Sequence, residues 1–440
     1  YANTFGDKHN VDVLVGHENY DWSYNYNYGF RQGEVISGNI ELDNFASVNS
    51  LRGYKLQHRI ESYLSRVNYN FDGKYTVSAS FRRDGSSKFD RNVRWGNFWS
   101  IGGAWRIDNE SFINMPSWAN MLKLRSSYGE VGNDGILTSG GSLEYYPSQG
   151  LYASGPGYNN GAEPGFLLSN LASPDLSWES NASFDIGLDF ALFSKLNGHV
   201  EYFNRQSSNM LFRVPLPVSS GVLDRNQNIG TMWNRGVEIQ LSADVIDRES
   251  FGWNVDVNWT ALSNRITKMP EGQDEIISGT KKLKVGKDMY AYWLRQWYGV
   301  DPENGNPLYV AETYNTANSK ILASGDTVTW NVNNARFDYS GSAIPDFTGG
   351  ITNSFRYKNF SLSILATYQV GGKMYDGSYA TLMNHSANYG GALHKDILNR
   401  WTPENTNTDV PRLDVNNPVD FAAGTSTRWL VDASYLNIRN

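Results

Sequence analysis

Apolar and polar residues alternate along nearly every segment of this chain outside its loops. The pattern runs through 63–71 and 75–81, on both sides of an Asp-Gly turn, and recurs in 178–192, 237–245, 253–261 and 360–368. A period of two places successive side chains on opposite faces of a β-strand. Residues 63–81 therefore form a β-hairpin with one apolar face, and the whole sequence predicts an all-β fold.

The predicted strands are mostly about 10 to 17 residues long, whereas strands of soluble proteins most often have about 5 to 6 residues. Tight turns at one end of the strands and long loops at the other are typical of an outer-membrane barrel. Without an apolar run of about 18 residues, only a barrel can cross a bilayer. We therefore predict a transmembrane antiparallel up-and-down β-barrel. Short turns follow residues 71, 192, 246 and 357, and long polar loops occupy about 23–54, 84–95, 132–177, 207–227, 267–288 and 373–427.

The alternation predicts about fourteen strands in this barrel. An up-and-down barrel requires that neighbouring strands alternate in direction, which demands an odd number of strands within 301–348; we expect one, starting near 306–310. The only helical turn expected is short, at 117–122. The other predicted strands lie near 10–22, 56–71, 74–84, 96–107, 121–131, 178–192, 196–208, 228–246, 252–266, 289–300, 349–358, 360–368 and 428–440.

Hairpin registers follow from the rule that paired residues share a face. Pairing Asn70 with Lys74 sets Tyr69 against Tyr75, Val67 against Val77 and Tyr63 against Phe81, and leaves a three-residue loop of Phe71, Asp72 and Gly73. Gly73 is then expected in the left-handed bulge position. At 357–360 the pattern favours a two-residue turn of Lys358 and Asn359.

The two faces of the strands differ in a way that suits a wide barrel. Ser, Thr, Asn, Asp and a few Arg dominate the polar faces, as expected for a wet interior. We predict that Arg66, Arg82 and Arg125 face the lumen, because an Arg facing lipid at the bilayer centre costs about 2–4 kcal/mol. Aromatic residues near strand ends either form interfacial girdles or are ordinary core aromatics: Trp99, Trp105, Trp253, Trp259 and Tyr368.

The composition narrows the range of partners. The chain has 38 Lys and Arg against 45 Asp and Glu, a net charge of −7, with no basic stripe. This disfavours binding to nucleic acid. Cysteine is absent, which excludes disulfides, thiolate metal sites and cysteine nucleophiles.

No motif for catalysis or for a cofactor is present. The histidines form no HExxH motif; His385, His394 and Asp396 share one loop, and a solvated loop is the preferred interpretation over a metal site. Residues 301–306, DPENGN, resemble the start of an EF-hand loop but lack its twelfth-position Glu, so we expect a turn. We predict no enzyme activity, no metal and no cofactor.

Eight stretches occur in the order typical of one family: YTVSASFRRDGSSKF (75–89), GNFWSIGGAWRI (96–107), LKLRSSYGEVGNDGI (122–136), WNRGVEIQLSADVI (233–246), YGVDPENGNPLY (298–309), IPDFTGGITNSFRYKNFSLSI (344–364), RWTPENTNTDVPRL (400–413) and RWLVDASYLNIRN (428–440). They resemble the SusC/RagA family of TonB-dependent outer-membrane transporters. The resemblance spans nearly the whole chain.

The resemblance implies a barrel of about 22 strands with an N-terminal plug. It also implies energisation by the TonB complex, import of oligosaccharides or peptides, and a SusD-like surface lipoprotein as a lid. We expect residues 1–440 to form part of that single barrel domain, with the plug, the TonB-contacting segment and the final strands absent from this chain.

Aromatic residues in the predicted loops are the candidates for substrate contact, by stacking on sugar faces or packing against peptide side chains. Equally, they could pin the loops or contact the lid protein. The rival functional hypothesis is a soluble or surface-attached all-β glycan-binding protein or adhesin, although no propeller-like repeat of about 40 to 50 residues is present. The candidate residues are Tyr145, Tyr146, Tyr152, Tyr158, Trp330 and Tyr389.

Overall fold

The computed structural model confirms an all-β chain with antiparallel sheets. It describes residues 1–138, 141–154, 158, 161, 163, 165–384, 390–414 and 425–439. Strands account for 60% of the structure. None of the helices among these residues is both long and apolar enough to cross a membrane.

The strands are numbered in chain order. The first half of the chain contains β1 (Ala2–Phe5), β2 (His9–Glu34), β3 (Phe45–Phe71), β4 (Tyr75–Ser86), β5 (Trp95–Arg106), β6 (Ala119–Asn133), β7 (Leu151–Ser154), β8 (Phe166–Asn170), β9 (Glu179–Leu192), β10 (Leu196–Ser208), β11 (Leu211–Pro215) and β12 (Asp224–Asn228). The second half contains β13 (Thr231–Asp247), β14 (Phe251–Lys268), β15 (Glu275–Ser278), β16 (Lys281–Lys284), β17 (Ala291–Arg295), β18 (Trp297–Val300), β19 (Pro307–Val310), β20 (Ser319–Ile321), β21 (Thr327–Thr329), β22 (Phe337–Ser342), β23 (Phe347–Tyr357), β24 (Phe360–Val370), β25 (Lys373–Tyr375), β26 (Leu430–Asp432) and β27 (Tyr435–Arg439).

Helices are few and short. Among the described residues, the one α-helix, α1, spans Gly377–Leu382. The predicted helical turn at 117–122 is wrong, because β6 already begins at Ala119 and the residues before it form a turn. The described 3-10 helices are Leu42–Asn44, Ile107–Asn109, Val218–Ser220, Val332–Asn334, Lys395–Asn399 and Thr427–Trp429.

The chain divides into two compact units. The first contains Tyr1–Met115, Met121–Leu188 and Asn204–Thr231; the second contains Pro116–Asn120, Asp189–Phe203 and Met232–Asn440. In the first unit the long strands are hydrogen-bonded neighbours in the order β1-β2-β3-β4-β5-β6-β9. In the second unit the order is β10-β13-β14-β23-β24-β27. Within each unit the order follows the chain, as an up-and-down topology requires.

Two predicted barrel strands are wrong. Strand β14 pairs directly with β23, from Phe251 with Tyr357 to Thr260 with Thr348, so nothing is inserted between them. The segments predicted as strands at 289–300 and 306–310 belong instead to small sheets, β15-β16-β17-β22 and β18-β19-β21-β20. The requirement that neighbouring strands run in opposite directions could not reveal this error. A barrel without these two strands satisfies that requirement equally well.

The turn at Asp72 and Gly73 has the predicted length but a shifted register. Phe71 pairs with Tyr75 and Tyr69 pairs with Val77, so the loop is residues 72–74. The shift is two residues, which keeps every side chain on its predicted face. Gly73 has the expected positive φ of 65°, and Asp72 also has a positive φ, 55°. The predicted two-residue turn at 358–359 is confirmed, since Tyr357 pairs with Phe360.

The main apolar clusters lie outside the long strands. In the first unit, the connections after β4, β6 and β8 bury Phe89, Ile136 and Leu176 against one another. In the second unit one cluster contains Tyr309, Val332 and Ala335, and another contains Met383, Ile397, Val410 and Trp429. The predicted loops therefore fold into packed structure of their own, which includes the hairpins β7–β8 and β11–β12.

One ring on the polar face of β5 covers two glycines. The side chain of Phe98 is 8% exposed, and a Cβ added at Gly132 would lie 2.0 Å from its Cζ. A Cβ added at Gly96 would lie 2.4 Å from the same atom. The ring occupies the space that two side chains would otherwise fill, and Trp178 packs on it with ring centroids 5.4 Å apart.

Candidate functional site

The hairpin β2–β3 exchanges the character of its two faces about halfway along its length. In its lower half, residues 9–18 and 62–71, the odd-numbered face carries Val11, Val13, Val15, Val67 and Tyr69, and the even-numbered face carries Asn10, Asp12, Arg66, Asn68 and Asn70. In its upper half, residues 19–34 and 45–61, the odd-numbered face is polar and the even-numbered face is aromatic. The register is continuous across this exchange as far as Phe30. The sheet itself therefore does not turn over; only the side-chain chemistry does.

We define the aromatic row as Tyr20, Trp22, Tyr24, Tyr26, Tyr28 and Phe30, all on the even-numbered face of β2. Its rings follow one another: Trp22 and Tyr24 have centroids 6.1 Å apart, Tyr24 and Tyr26 6.4 Å, and Tyr26 and Tyr28 6.5 Å. Tyr54 of β3 packs beside the row, 4.9 Å from Tyr26. Tyr24, Tyr28 and Phe30 remain 41–44% exposed.

The prediction of a loop at 23–54 is wrong for most of these residues, because β2 extends to Glu34 and β3 begins at Phe45. Sequence reasoning therefore missed the aromatic row. The signal was present in the sequence as an unbroken alternation of aromatic residues from Tyr20 to Phe30. It was hidden by the Asn, Ser and Gly residues between them, which are common in loops.

Two of the predicted loop aromatics pack against this hairpin. Tyr145 stacks on Trp22 with ring centroids 5.0 Å apart and planes 13° apart, which extends the aromatic row. The Tyr146 hydroxyl accepts a hydrogen bond from the backbone N–H of Gln57, 3.0 Å away. The structure thus brings Tyr145 to an aromatic surface and gives Tyr146 a contact that pins its loop.

The other predicted aromatics lie elsewhere. Tyr152, 63% exposed, contacts Phe166 edge-to-face across the hairpin β7–β8, and Tyr158 is also exposed. Trp330 is half-buried beside β21, in the second unit. Tyr389 and His385 lie outside the described residues. Of the five candidates that the structure describes, Tyr145 alone joins the aromatic row.

A buried polar cluster fastens the loop that carries Tyr145. The Asp134 carboxylate accepts hydrogen bonds from Ser86 Oγ at 2.7 Å and, through its Oδ2, contacts His58 Nε2 at 3.0 Å. The Nζ of Lys88, which is 3% exposed, lies 3.3 Å from its Oδ1. Burial would raise the pKa of Asp134, but the hydrogen bonds from His58 and Ser86 and the charge of Lys88 outweigh it and lower this pKa to about 2. The carboxylate is therefore charged at neutral pH.

The polar face of β2 to β6 carries the three predicted arginines. Arg66 lies 3.8 Å from Asp12, and Arg82 bonds Asp84 at 2.6 Å and Glu18 at 3.0 Å. Arg125 of β6 pairs with Ala104 of β5, and the registers connect that pair to Thr76 and Asn70. All three arginines therefore lie on the even-numbered face of the hairpin β2–β3, among Ser, Thr and Asn side chains.

The opposite face is apolar and exposed. Val67, Val77, Phe81 and Ile101 are 43–50% exposed on neighbouring strands. In the second unit, Trp253 stacks on Phe355 near the tight turns, and Trp259 contacts Phe347 near the other end. Aromatic residues at both ends of an apolar band are the pattern of a membrane-facing surface.

The remaining candidate ligand sites are His394 with Asp396 and the DPENGN segment. Within the described ranges no group of three or more His, Asp or Glu residues is placed to hold a metal ion. His394 instead caps a 3-10 helix and lies 3.3 Å from Asp396. The DPENGN segment is a turn, as predicted, closed by the backbone N–H of Gly305 on the Asp301 carbonyl, and the Asp301 carboxylate binds Lys320 Nζ at 2.6 Å.

Comparison with known proteins identifies this two-faced sheet. A family model described as "TonB dependent receptor-like, beta-barrel" matches residues 1–417. The chain belongs to this family. TonB-dependent receptors of this kind are outer-membrane β-barrels. The outward face of the strands in such barrels is an apolar band.

Individual relatives of this TonB-dependent receptor barrel include SusC, and its fold is similar to that of the RagAB transporter. It is 29% identical to TonB-dependent receptor P3 of Formosa agariphila, over all of this chain and 44% of that receptor. It is 26% identical to TonB-dependent receptor SusC of Bacteroides thetaiotaomicron, over 98% of this chain and 42% of SusC. The solved RagAB peptide transporter matches with a TM-score of 0.84 and 26% identity, over 99% of this chain and 47% of that one. The chain therefore spans less than half the length of each of these relatives.

Proposed function

We propose that this chain forms part of the wall of one barrel domain in a TonB-dependent importer of the outer membrane. The importer takes up oligosaccharides or peptides, draws energy from the TonB complex and works under a SusD-like surface lipoprotein. The exchange of faces along the hairpin β2–β3 carries this proposal. A wall that is apolar outside and polar inside at membrane level, with aromatic rings continuing the inner face beyond it, suits the capture and passage of a polar chain-like solute.

The relatives support an oligosaccharide or a peptide as the solute, but they do not distinguish between the two. One relative is SusC, and a solved structure with the same fold is described as a peptide transporter. Tyrosine rings suit both kinds of chain, because each ring offers an apolar face and a hydroxyl that can donate or accept a hydrogen bond.

Arg66, Arg82 and Arg125 are proposed to face the lumen. Arg66 and Arg82 contact acidic side chains of the same face. Such a face presents both signs of charge to the passing solute. In this role the residues bind and orient; we propose no catalysis and no cofactor, in keeping with a family of receptors and transporters.

The aromatic row and Tyr145 are proposed as the first contact for the solute. Tyr152, Tyr158, Trp330 and Tyr389 are proposed as further contacts from other loops. Tyr146 is proposed to act mainly by holding its loop on Gln57.

Uptake by cells that carry the protein in their outer membrane tests the proposal. The double variant Tyr24→Ala/Tyr26→Ala should lower uptake of the imported oligosaccharide or peptide about tenfold, since each ring contributes about 0.5–1.5 kcal/mol. The matched control is Asn25→Ala/Asn27→Ala, on the opposite face of the same strand, which should leave uptake unchanged. Uptake that persists in cells without TonB would refute the transport proposal.

Spin labels test the facing of the wall. A label at Val77 should be accessible to lipid-soluble oxygen, and a label at Ser78 to a water-soluble relaxation agent. The reverse result would place Arg66, Arg82 and Arg125 on the lipid side and overturn their assignment to the lumen.

A further inference from the structure

The hairpin β13–β14 carries a cluster of two arginines and a tryptophan on its apolar side. Hydrogen bonds from Asn264 to Asn234 at 2.8 Å and from Asn254 to Asp244 at 3.0 Å place the even-numbered side chains on one face. The odd-numbered side chains therefore share the other face. That face is apolar over most of its length: Val237, Ile239, Leu241, Ala243, Val245, Val255, Val257 and Ala261.

Aromatic pairs mark the two edges of this apolar band. Trp253 stacks on Phe355 at the end near the tight turn, with centroids 5.9 Å apart. Trp259 contacts Phe347 at the other end, at 6.1 Å. At about 3.3 Å per residue the two tryptophans are roughly 20 Å apart along β14, close to the ~25 Å height of the apolar band of outer-membrane barrels.

Charge on the apolar side is confined to its ends. Asp247 lies beside the tight turn, 3.4 Å from Arg356. Arg235 and Arg265 lie beyond the opposite edge, past Val237 and Ala261. The acids in the middle of these strands, Glu238, Asp244 and Asp256, have even numbers and lie on the other face. The end of the band away from the tight turn is therefore purely basic on β13 and β14, whose residues are all described.

The two arginines flank one ring. The guanidinium of Arg235 lies 4.3 Å from the ring centroid of Trp233, and that of Arg265 lies 5.8 Å from it. Both arginines are exposed and Trp233 is half-buried. Cation–π contact holds the guanidinium groups along the surface. Planar guanidinium groups bind phosphate through paired N–H donors, and tryptophan favours the membrane–water boundary.

We propose that Trp233, Arg235 and Arg265 bind the phosphate groups of a phosphorylated glycolipid in the outer leaflet. The assignment rests on the outward facing of the apolar side. It does not depend on which solute is imported. Because the cluster lies two to four residues beyond Val237 and Ala261 and on the outside of the proposed wall, lipid headgroups are the phosphate carriers that reach it.

A second arginine–tryptophan pair shows what distinguishes this cluster. On the apolar side of the first unit, Arg83 lies 5.3 Å from the ring centroid of Trp95. The registers place Glu61 and Glu130 on that same side, which therefore carries both signs of charge. A phosphate group would be bound less strongly by this mixed-charge surface, so we assign no phosphate site to Arg83.

Binding to vesicles of defined composition tests the proposal. The protein, purified with its full chain, is titrated with phosphatidylcholine vesicles that contain either lipid A or lipid A stripped of its phosphates. R235Q/R265Q should weaken binding to the lipid A vesicles about tenfold and leave binding to the stripped vesicles unchanged. R265K keeps the positive charge but loses the planar guanidinium group, and it should weaken binding to lipid A vesicles about threefold.

The matched control is R356Q, which removes an exposed arginine from the opposite end of the same unit and should change nothing. The proposal would be overturned if R356Q weakened binding to lipid A vesicles as much as R235Q/R265Q, or if R235Q/R265Q did not weaken it. Full displacement of lipid A vesicles by millimolar inorganic phosphate would also overturn it, because the site would then serve a free anion. Heat-shifted electrophoretic mobility verifies that each variant folds. If the double variant does not fold, the single variants R235Q and R265Q are tested instead, and each should bind lipid A vesicles about threefold more weakly.

Discussion

The lower and upper halves of the hairpin β2–β3 have the same backbone and opposite chemistry. In the lower half the apolar side chains are odd-numbered, and in the upper half the aromatic ones are even-numbered, although the register between the strands is continuous as far as Phe30. A bilayer selects the first pattern, because its apolar medium lies outside the wall. Under the proposed facing, water lies outside the upper half, and polar residues such as Asn25 and Asn27 occupy that side. The membrane boundary is then expected near residues 18 and 62.

Substitution to arginine on the outward side of each half should distinguish the two halves most clearly, through its effect on the free energy of unfolding. Val67→Arg puts a charge in the apolar band and should lower the free energy of unfolding by about 2–4 kcal/mol. Asn27→Arg, on the same side of the upper half, should change it by less than about 0.5 kcal/mol. Urea unfolding in lipid vesicles measures both. Equal costs at the two positions would show that the membrane boundary has been misplaced.

The polar cluster around Asp134 belongs to the upper half, where it joins the loop that carries Tyr145 to His58 of β3. Asp134→Asn leaves the buried ammonium of Lys88 without its counter-charge and should lower the local opening free energy by about 3 kcal/mol. Hydrogen exchange of the amides in 84–90 measures this. Asp90→Asn is the control, since the Asp90 side chain accepts only the N–H of Asn92 among its described contacts. Unchanged exchange in Asp134→Asn would show that the cluster does not hold the loop.

Acid should loosen the same contact in a defined range of pH. The folded-state pKa of Asp134, about 2, lies below its ordinary value of 3.8, so its charge stabilises the folded loop above pH 4. That stabilisation, about 2 kcal/mol at most, is lost as the pH falls from 4 to 2. The lower half of the hairpin should show no matching change. Loosening between pH 7 and 5 would point instead to a histidine.

The smallest effect is expected from a charge on the outward side of the upper half. Asp21 binds Arg59 Nε at 2.9 Å, and both side chains are more than half exposed. Asp21→Asn should lower the free energy of unfolding by less than about 1 kcal/mol, and the difference should shrink in high salt. A cost that equals that of Val67→Arg would mean that this side of the upper half is also buried.

The sequence predicts the membrane-level strands well, because alternation there reflects the difference between lipid and water. The predicted strand at 196–208 matches β10, and that at 178–192 differs from β9 by one residue. The segments wrongly predicted as barrel strands at 289–300 and 306–310 contain continuous apolar runs, YAYWL at 290–294 and PLYV at 307–310, and they pack in small sheets of their own. A short apolar run indicates a strand without showing which sheet it joins. The requirement that neighbouring strands alternate in direction is met equally well with no extra strand or with two.

The candidate site was less predictable. Tyr145 could be singled out from its loop, but its partner Trp22 is more than 120 positions away in the sequence, and only the fold brings the rings to 5.0 Å. The aromatic row itself could have been found, since strict alternation from Tyr20 to Phe30 is a local signal. The Asp134 cluster could not, because it joins three segments that only tertiary packing brings together.

The ring of Phe98 lies over Gly96 and Gly132, so substitutions at these three positions are coupled. A methyl group at Gly132 would overlap the ring at 2.0 Å, so no rotation of a small side chain relieves the clash. A side chain at position 96 or 132 therefore requires the Phe98 ring to move, and a smaller residue at position 98 removes that requirement. Among descendants of this chain the three positions should covary as a set, and a laboratory selection that begins with Phe98→Ala should be the one in which replacements for these glycines first survive.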